Sequence, residues 1–244
     1  MSPRRVIRRV TTPARAGGLI SVVIEPDSWI VPYAKRLART LRTLGHPARV
    51  CEAYSRVPSG RIAFYLGCTR IVPPELLRRN ERNLAVHESD LPQGRGFAPI
   101  AWQVLAGASR IPMVLFEVVE AVDAGPIYLR KELALEGHEL MPEIRAKQGE
   151  LTVALCLEFV RRYPRIQPRP QRGSASYFPR RRPADSRLDL DVTLREQMAL
   201  LRIVDNERYP AFFDHQGWRY TVTIAKVGRA HSPARTVAEA STHG

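Results

Sequence analysis

Residues 19–24 read Leu-Ile-Ser-Val-Val-Ile, and the alternation of strands and helices that predicts the fold begins with this apolar stretch. It is followed by the turn residues Glu25-Pro26-Asp27, and a continuous apolar run of this length is typical of a strand buried in a parallel sheet. Residues 30–44 place apolar side chains at helical spacing, and residues 48–51 predict a second strand. A strand, a helix and a strand in this order predict a parallel α/β unit.

The same alternation of strands and helices continues through the first two thirds of the chain. We predict further strands at residues 62–66, 84–87, 112–118 and 126–131, and helices at residues 75–79, 99–105 and 143–163. The pattern predicts an α/β fold with a Rossmann-like, mostly parallel twisted sheet and helices on both faces. Ligands of such sheets bind outside the carboxyl ends of the strands, and His87 lies at one of these ends.

Composition divides the chain into a main domain and smaller parts. We expect a basic, flexible N-terminus at 1–17, a main domain at 18–163, a linker at 164–187, a small C-terminal subdomain at 188–227 and a disordered tail at 228–244. Residues 164–183 are rich in Pro, Arg, Gly and Ser and are interpreted as a connector. A helix at 192–204 and a strand at 218–224 are too few for an independent core, so we expect this subdomain to pack on the main domain.

The overall composition indicates a soluble, cytoplasmic protein. An apolar share of 44% in 244 residues is enough for a sizeable core. No run reaches the roughly 18 apolar residues of a membrane span, so we expect no membrane partner. The three cysteines form no CxxC pair, which argues against a disulfide framework and against a metal site.

The formal net charge of +14 leaves two kinds of partner open. Basic proteins bind nucleic acid through phosphate neutralisation. Here, however, the arginines are dispersed along the chain rather than clustered. A positive field also attracts anionic small molecules such as nucleotide-sugar diphosphates or folate.

The most informative motif is VHESDLPQGRGFAPI at residues 86–100, followed by VDAGPI at residues 122–127. A histidine that closes a strand, a Ser-x-Leu-Pro turn, an Arg-Gly loop and a later Asp-x-Gly resemble the active-site framework of the folate-dependent formyltransferases. The resemblance runs from about residue 19 to residue 227 and is specific at these loops. It implies an enzyme that transfers a formyl group from 10-formyltetrahydrofolate, its co-substrate, to an amine.

The resemblance also implies roles for individual residues. His87 corresponds to the catalytic histidine that shuttles protons, and Asp123 to the carboxylate that orients the imidazole and favours its cationic form. Because the two lie in an α/β chain, we expect neighbouring strand ends to bring them together. The folate contacts expected from the resemblance are Gly67, Cys68, Ile71, Val72, Pro73, Arg95, Gly96, Val119, Glu120, Val122 and Asp123. Gly94 and Gly96 are expected to adopt positive φ or to allow a close backbone approach.

One position departs from the family pattern. The family carries an asparagine two residues before the histidine that donates a hydrogen bond to the oxyanion, and this chain has Ala85 there. Loss of one such donor typically costs about 10² to 10³ in rate. Asn83, Ser89, a backbone N–H or water are the candidate replacements, and a non-catalytic folate- or sugar-binding relic is the alternative.

The acceptor is predicted from the segments outside the catalytic loops. Methionyl-tRNA formyltransferases carry a substantial C-terminal RNA-binding barrel, and the short segment after Tyr163 argues against tRNA. Residues 177–185 and 200–212 resemble the sugar N-formyltransferases, above all those for pseudaminic-acid-type amino sugars. We predict a small amine acceptor, most plausibly a nucleotide-linked amino sugar, with no obligatory nucleic acid, and a homodimer. Acceptor contacts are expected at Asp27, Ser28, Trp29 and Arg95; tRNA and a siderophore-type amino acid stay open as alternatives.

Overall fold

The computed structural model describes residues 18–229 of the chain. Its strands are β1 (Ile20–Val23), β2 (Ala48–Cys51), β3 (Gly60–Tyr65), β4 (Asn80–His87), β5 (Arg95–Gly96), β6 (Arg110–Glu117), β7 (Ile127–Ala134), β8 (Tyr177–Phe178), β9 (Ala211–His215) and β10 (Trp218–Val222). Its α-helices are α1 (Val31–Thr43), α2 (Pro74–Leu77), α3 (Pro99–Leu105), α4 (Met141–Arg162) and α5 (Met198–Ile203), with 3-10 turns at Tyr54–Arg56 and Pro183–Ser186. The predicted N-terminus at 1–17 and the tail from residue 230 lie outside the described residues.

The central sheet has six strands in the order β2-β1-β3-β4-β6-β7. The first four run parallel, whereas β6 is antiparallel to β4 and β7 is antiparallel to β6. The predicted Rossmann-like, mostly parallel fold is therefore confirmed. Tyr65 at the end of β3 pairs with Ala85, so β4 continues two residues beyond its neighbour and carries His87 past the edge of the parallel strands.

The two faces of the sheet are covered unequally. Successive side chains of a strand point to opposite faces of the sheet. Val22 and Phe64 lie on the face that is covered by α1, α3 and α4. Val23 and Tyr65 point to the other face, which is covered by the single turn α2, the 3-10 turn at Tyr54–Arg56 and adjoining loops. The larger part of the core therefore lies on the side of the long helices.

The strand and helix bounds of the main domain agree with the predictions to within a few residues, but the helix predicted at 192–204 is shorter. The α-helix in this segment is α5 alone. Before it, the Glu196 carboxylate accepts hydrogen bonds from the Thr193 N–H and hydroxyl, and the Gln197 side chain donates to the carbonyls of Asp189 and Val192. Such side-chain bonds to the backbone compete with helix formation.

The predicted connector is part of the folded main domain. Strand β8 lies within residues 164–183 and pairs in parallel with β5, Arg95 opposite Tyr177 and Gly96 opposite Phe178. Composition did not reveal this strand because Pro, Arg, Gly and Ser surround it and it is only two residues long.

The C-terminal segment packs on the main domain as expected, and it contains a strand that was not predicted. Strands β9 and β10 form an antiparallel ribbon, of which only β10 was predicted. Ile203 joins the main core, while Leu188, Leu201, Val204 and Ala211 form a small adjoining cluster. Between residues 18 and 229, none of the helices has the length and apolar character needed to cross a lipid bilayer.

Candidate active site

A cavity of about 540 Å³ opens at the carboxyl ends of the parallel strands. Its walls come from the loop between β1 and α1, the loop after β3, the end of β4, the start of α3, the loop between β6 and β7, and one face of α4. This is the crevice in which a sheet of this topology binds its ligands.

The buried imidazole of His87 is oriented by a backbone carbonyl. Its Nε2 lies 2.7 Å from the carbonyl oxygen of Gly94. Because a carbonyl only accepts hydrogen bonds, Nε2 carries the proton and Nδ1 of the neutral ring carries the lone pair. Nδ1 lies 3.8 Å from Asp123 Oδ2, beyond hydrogen-bond distance. The structure therefore places the Gly94 carbonyl, and not the Asp123 carboxylate, within hydrogen-bond distance of the ring, while the carboxylate faces the other ring nitrogen.

Asp123 reaches His87 through a loop that folds back. Strand β6 neighbours β4, runs antiparallel to it and ends opposite Leu84, so the chain must turn back after β6 to bring Asp123 to His87. Asp123 has a left-handed backbone, with φ of +49°. Its Oδ2 accepts the Gly96 N–H at 2.9 Å, and its carbonyl accepts a hydrogen bond from Gln171 at 2.7 Å.

The Arg-Gly loop fits tightly against β8, as its glycines suggested. Gly94 and Gly96 have φ of +69° and +99°. A Cβ at Gly96 would lie 2.5 Å from the carbonyl oxygen of Phe178, and a Cβ at Gly94 would lie 2.5 Å from its ring. The close approach of β8 places the Gly96 N–H against Asp123.

Arg95 is not among the described residues that line the cavity, so the structure does not bring it to the predicted folate and acceptor contacts. Its guanidinium donates to Gln171 Oε1 at 2.6 Å, and to the hydroxyl of Tyr177. Gln171 in turn donates to the carbonyls of Asp123 and Gly125. Arg95 is therefore connected through Gln171 to the loop that carries Asp123, and these hydrogen bonds stabilise that loop.

The other predicted contacts divide between two cavities. The main cavity is lined by Gly67, Cys68, Ile71, Val72, Gly96, Val119, Glu120, Val122 and Asp123, but not by Pro73. Asp27 and Ser28 line a second cavity of about 670 Å³ between the main domain and the C-terminal segment. Trp29 lines both cavities, so of these three predicted acceptor contacts only Trp29 also reaches the main cavity.

Two predicted replacements for the missing asparagine do not line the cavity. The Asn83 amide donates to the Leu77 carbonyl at 2.8 Å, and its oxygen accepts the Tyr65 hydroxyl at 3.3 Å. The Ser89 hydroxyl donates to the Gln93 carbonyl at 2.7 Å. Both side chains are buried and hold turns and strands together, which contradicts a direct catalytic role for either.

One face of α4, which lines the cavity, was not predicted from the sequence as part of the site. Met141, Arg145, Gln148 and Thr152 line it, and their spacing of three or four residues puts them on one helix face. Gln148 donates to the Glu88 carboxylate at 2.7 Å. Burial raises the pKa of Glu88, an effect that the charge of His87 and the bond from Gln148 oppose. The polar residues within an otherwise apolar helical stripe were the available signal.

A cluster away from the cavity has ligand atoms at metal-binding spacing. Glu136, His138 and Glu139 bring one such atom each within 4.8 Å of one another. Lys147 already bonds to Glu139, and Lys226 to His138. Two ammonium groups are therefore already in contact with this cluster, one at the Glu139 carboxylate and one at the His138 imidazole.

Comparison with known proteins places the chain among formyltransferases. Residues 61–157 match the formyl transferase family. The chain is 28% identical over 215 residues to methionyl-tRNA formyltransferase from Thermus thermophilus, covering 82% of this chain and 70% of that protein. It is 37% identical over 110 residues to the enzyme of the same name from Thermosipho melanesiensis, covering 44% of this chain but 36% of that protein.

Solved structures share the fold. Methionyl-tRNA formyltransferase from Clostridium thermocellum superimposes with a TM-score of 0.74 at 21% identity, covering 86% of this chain and 94% of the other. A 4-N formyltransferase from Francisella tularensis gives 0.64 at 16% identity, covering 85% and 98%. HypX from Aquifex aeolicus with tetrahydrofolic acid gives 0.65 at 17%, covering 84% and 37%. Residues 61–157 therefore resemble the formyl transferase family, whose members use folate-derived formyl donors, and the described chain shares the fold of the solved formyltransferases.

Proposed function

We propose that the protein transfers the formyl group of 10-formyltetrahydrofolate to the primary amine of a small acceptor, a nucleotide-linked amino sugar or a related compound. The observation that carries this proposal is the position of His87. Its basic Nδ1 faces the Asp123 carboxylate at 3.8 Å inside a cavity at the carboxyl ends of the parallel strands. Acyl transfer requires a proton acceptor at such a place.

The reaction assigns a step to each of the two residues. The amine attacks the formyl carbon, and a tetrahedral oxyanion forms. His87 Nδ1 takes a proton from the attacking nitrogen and delivers it to the departing folate nitrogen. While His87 holds this proton, the Asp123 carboxylate stabilises the imidazolium. The loops at residues 67–72 and 118–123 supply the folate contacts.

The oxyanion donor that Ala85 lacks is supplied, in this proposal, by Gln148. Among the described residues that line the cavity, Gln148 is the one with an amide side chain. One hydrogen of its Nε2 bonds to Glu88, and the second is available to a ligand because a primary amide carries two. Gln148 on α4 would thus replace the hydrogen-bond donor that β4 lacks at Ala85. This replacement argues against the alternative of a non-catalytic folate- or sugar-binding relic.

The second cavity supports an acceptor larger than the amine alone. It borders the main cavity at Trp29, Met141 and Arg145. Arg208 closes one side by donating to the Asp27 carbonyl at 2.6 Å. A nucleotide carrier lying in this cavity would place its amino sugar beside His87, and the net positive charge favours an anionic carrier.

Formyl transfer to methionyl-tRNA is the second candidate, because the curated relatives carry that name. The test is tetrahydrofolate formation by the purified protein with a panel of nucleotide-linked amino sugars, their hydroxyl analogues, a hydroxylated amino acid and methionyl-tRNA. We expect product with an amino sugar and none with its hydroxyl analogue. Product with methionyl-tRNA alone, or donor binding without any product, would contradict the proposal. Light scattering in the same buffer tests the expected homodimer.

A further inference from the structure

Glu88 is a cavity residue to which the proposed chemistry gives no role. Three carboxylates line the cavity within the described residues: Glu88, Glu120 and Asp123. Asp123 faces His87, and Glu120 is exposed. Glu88 is half-buried, directly follows His87 in the chain and lines the same cavity.

The contacts of Glu88 hold its carboxylate without neutralising it. Oε1 accepts the hydrogen bond from Gln148, and the backbone carbonyl accepts one from Gln103 at 2.6 Å. Over residues 18–229, no lysine or arginine forms an ion pair with Glu88, and Oε2 has no hydrogen-bond partner. Arg145, the cation on the same face of α4, pairs with Asp205 at 2.8 Å. One oxygen of a fixed carboxylate is therefore available to a ligand.

The charges around Glu88 favour a cationic ligand. Burial raises the pKa of Glu88, and the nearby Asp123 carboxylate raises it further, whereas His87 and the Gln148 bond lower it. A positive group at Oε2 would compensate both the burial and the repulsion from Asp123. A carboxylate whose pKa is raised is also a stronger proton acceptor than an ordinary glutamate.

The proton balance of the reaction calls for a second base. A primary alkylamine is an ammonium ion near neutral pH, and it loses two protons when it becomes a formamide. His87 moves one of them to the folate nitrogen. We propose that Glu88 binds the acceptor ammonium and takes the other proton, an inference that rests on the proposed function.

The steps then balance. An N–H bond of the ammonium breaks, and its proton goes to Glu88 while the electron pair stays on nitrogen. That pair forms the bond to the formyl carbon. The second proton passes through His87 Nδ1 to the folate nitrogen as the bond between that nitrogen and the formyl carbon breaks. Glu88 finally releases its proton to water.

The kinetic test uses Glu88→Gln, which keeps the size and the acceptor oxygen for Gln148. With the amine identified by the panel, we expect kcat/KM near pH 7 to fall about 10²-fold. The ratio of the wild-type kcat/KM to that of Glu88→Gln should fall about tenfold per pH unit as the pH rises towards the pKa of the amine. The reason is that the free amine then replaces the ammonium as substrate. A purely structural role predicts a loss independent of pH. Glu150→Gln, an exposed carboxylate on α4 paired with Arg36, is the matched control and should behave as wild type.

A second measurement does not depend on the acceptor. We expect methylammonium chloride to shift the Gln148 side-chain amide NMR signal saturably in wild type and not in Glu88→Gln, with sodium chloride as reference. Saturable binding without formyl transfer to any amine would contradict the proposed function and support the cation site. Formyl transfer with wild-type rate and pH profile in Glu88→Gln would overturn the inference, as would equal methylammonium shifts in both proteins.

Discussion

The carbonyl of Gly94 determines which nitrogen of the neutral His87 ring carries the proton. It accepts the Nε2 proton, so the lone pair lies on Nδ1, the nitrogen that faces Asp123. Asp123 is held by its own bond from the Gly96 N–H. Each partner is thus positioned by the backbone of the Arg-Gly loop, and the 3.8 Å between them leaves the Nδ1 lone pair free for a substrate proton.

This arrangement predicts that His87→Ala and Asp123→Asn each lower kcat by at least about 10²-fold. His87→Ala removes the base, whereas Asp123→Asn keeps an acceptor for the Gly96 N–H and removes only the negative charge. Thermal unfolding by calorimetry serves as the control, since both variants should remain folded. Turnover within a few fold of wild type in either folded variant would refute the assigned role.

Gln148 provides the second prediction at the residue scale. Gln148→Leu removes both amide hydrogens while preserving much of the side-chain volume. If Nε2 stabilises the oxyanion, kcat should fall about 10²-fold with a smaller change in donor affinity. Steady-state kinetics with donor titration separates the two quantities. A change in donor affinity at unchanged kcat would instead indicate a binding role.

At the scale of elements, the pairing of β5 with β8 shapes the site. Two residues of the predicted connector reach back to the Arg-Gly loop, and glycine at position 96 permits both the backbone conformation and the contact. The pair Gly96→Ala and Gly107→Ala separates these two requirements. Both glycines have positive φ, +99° and +84°, but a Cβ at Gly107 meets no atom within 4 Å.

We expect Gly107→Ala to cost about 1 to 2 kcal/mol of stability, the strain of a left-handed alanine, with kcat unchanged. Gly96→Ala should cost more and should also lower kcat, because displacement of β8 moves the Gly96 N–H away from Asp123. Denaturant unfolding and turnover of both variants give the comparison. Equal stability losses and equal activities would show that the β8 contact does not support the site.

At the scale of the whole molecule, Glu139 links the main domain to the C-terminal segment. The buried carboxylate accepts hydrogen bonds from the N–H groups of Glu136 and Gly137 and from Lys147. Its backbone carbonyl accepts the Arg202 Nε at 3.1 Å, which ties α5 to the start of α4. Burial by itself raises the pKa of Glu139, but these hydrogen bonds outweigh it and lower the pKa to about 2.

A folded-state pKa below the ordinary value of 4.5 means that the ionised form stabilises the fold. The contribution is complete above about pH 4.5 and is lost as the pH falls towards 2. We expect Glu139→Gln to lower the free energy of unfolding at pH 7 by about 3 kcal/mol and to flatten its decline between pH 5 and pH 2. Urea unfolding of both proteins across this range measures the difference. Parallel pH profiles would show that another carboxylate governs the acid transition.

The sequence alone was enough to predict the main strands and helices of the central sheet, the mostly parallel fold, and the loops that carry His87 and Asp123, but not the short strands β5 and β8 or strand β9. These features depend on local periodicity and on short motifs, which are readable without knowledge of distant contacts. Glycine at positions 94 and 96 likewise predicted a positive φ or a close approach of neighbouring atoms. Both features are observed, since each glycine has a positive φ and lies against Phe178.

Only the tertiary structure decided which of these residues meet. Strand direction is not encoded in apolar periodicity, so the antiparallel β6 and the folded-back loop of Asp123 could not be predicted. The side-chain bonds that hold Asn83 and Ser89 away from the cavity, and the orientation of Gln148 towards Glu88, involve packing between elements. Contacts such as Gly96 with Phe178 join residues far apart in the chain, and they form only when the whole domain is assembled.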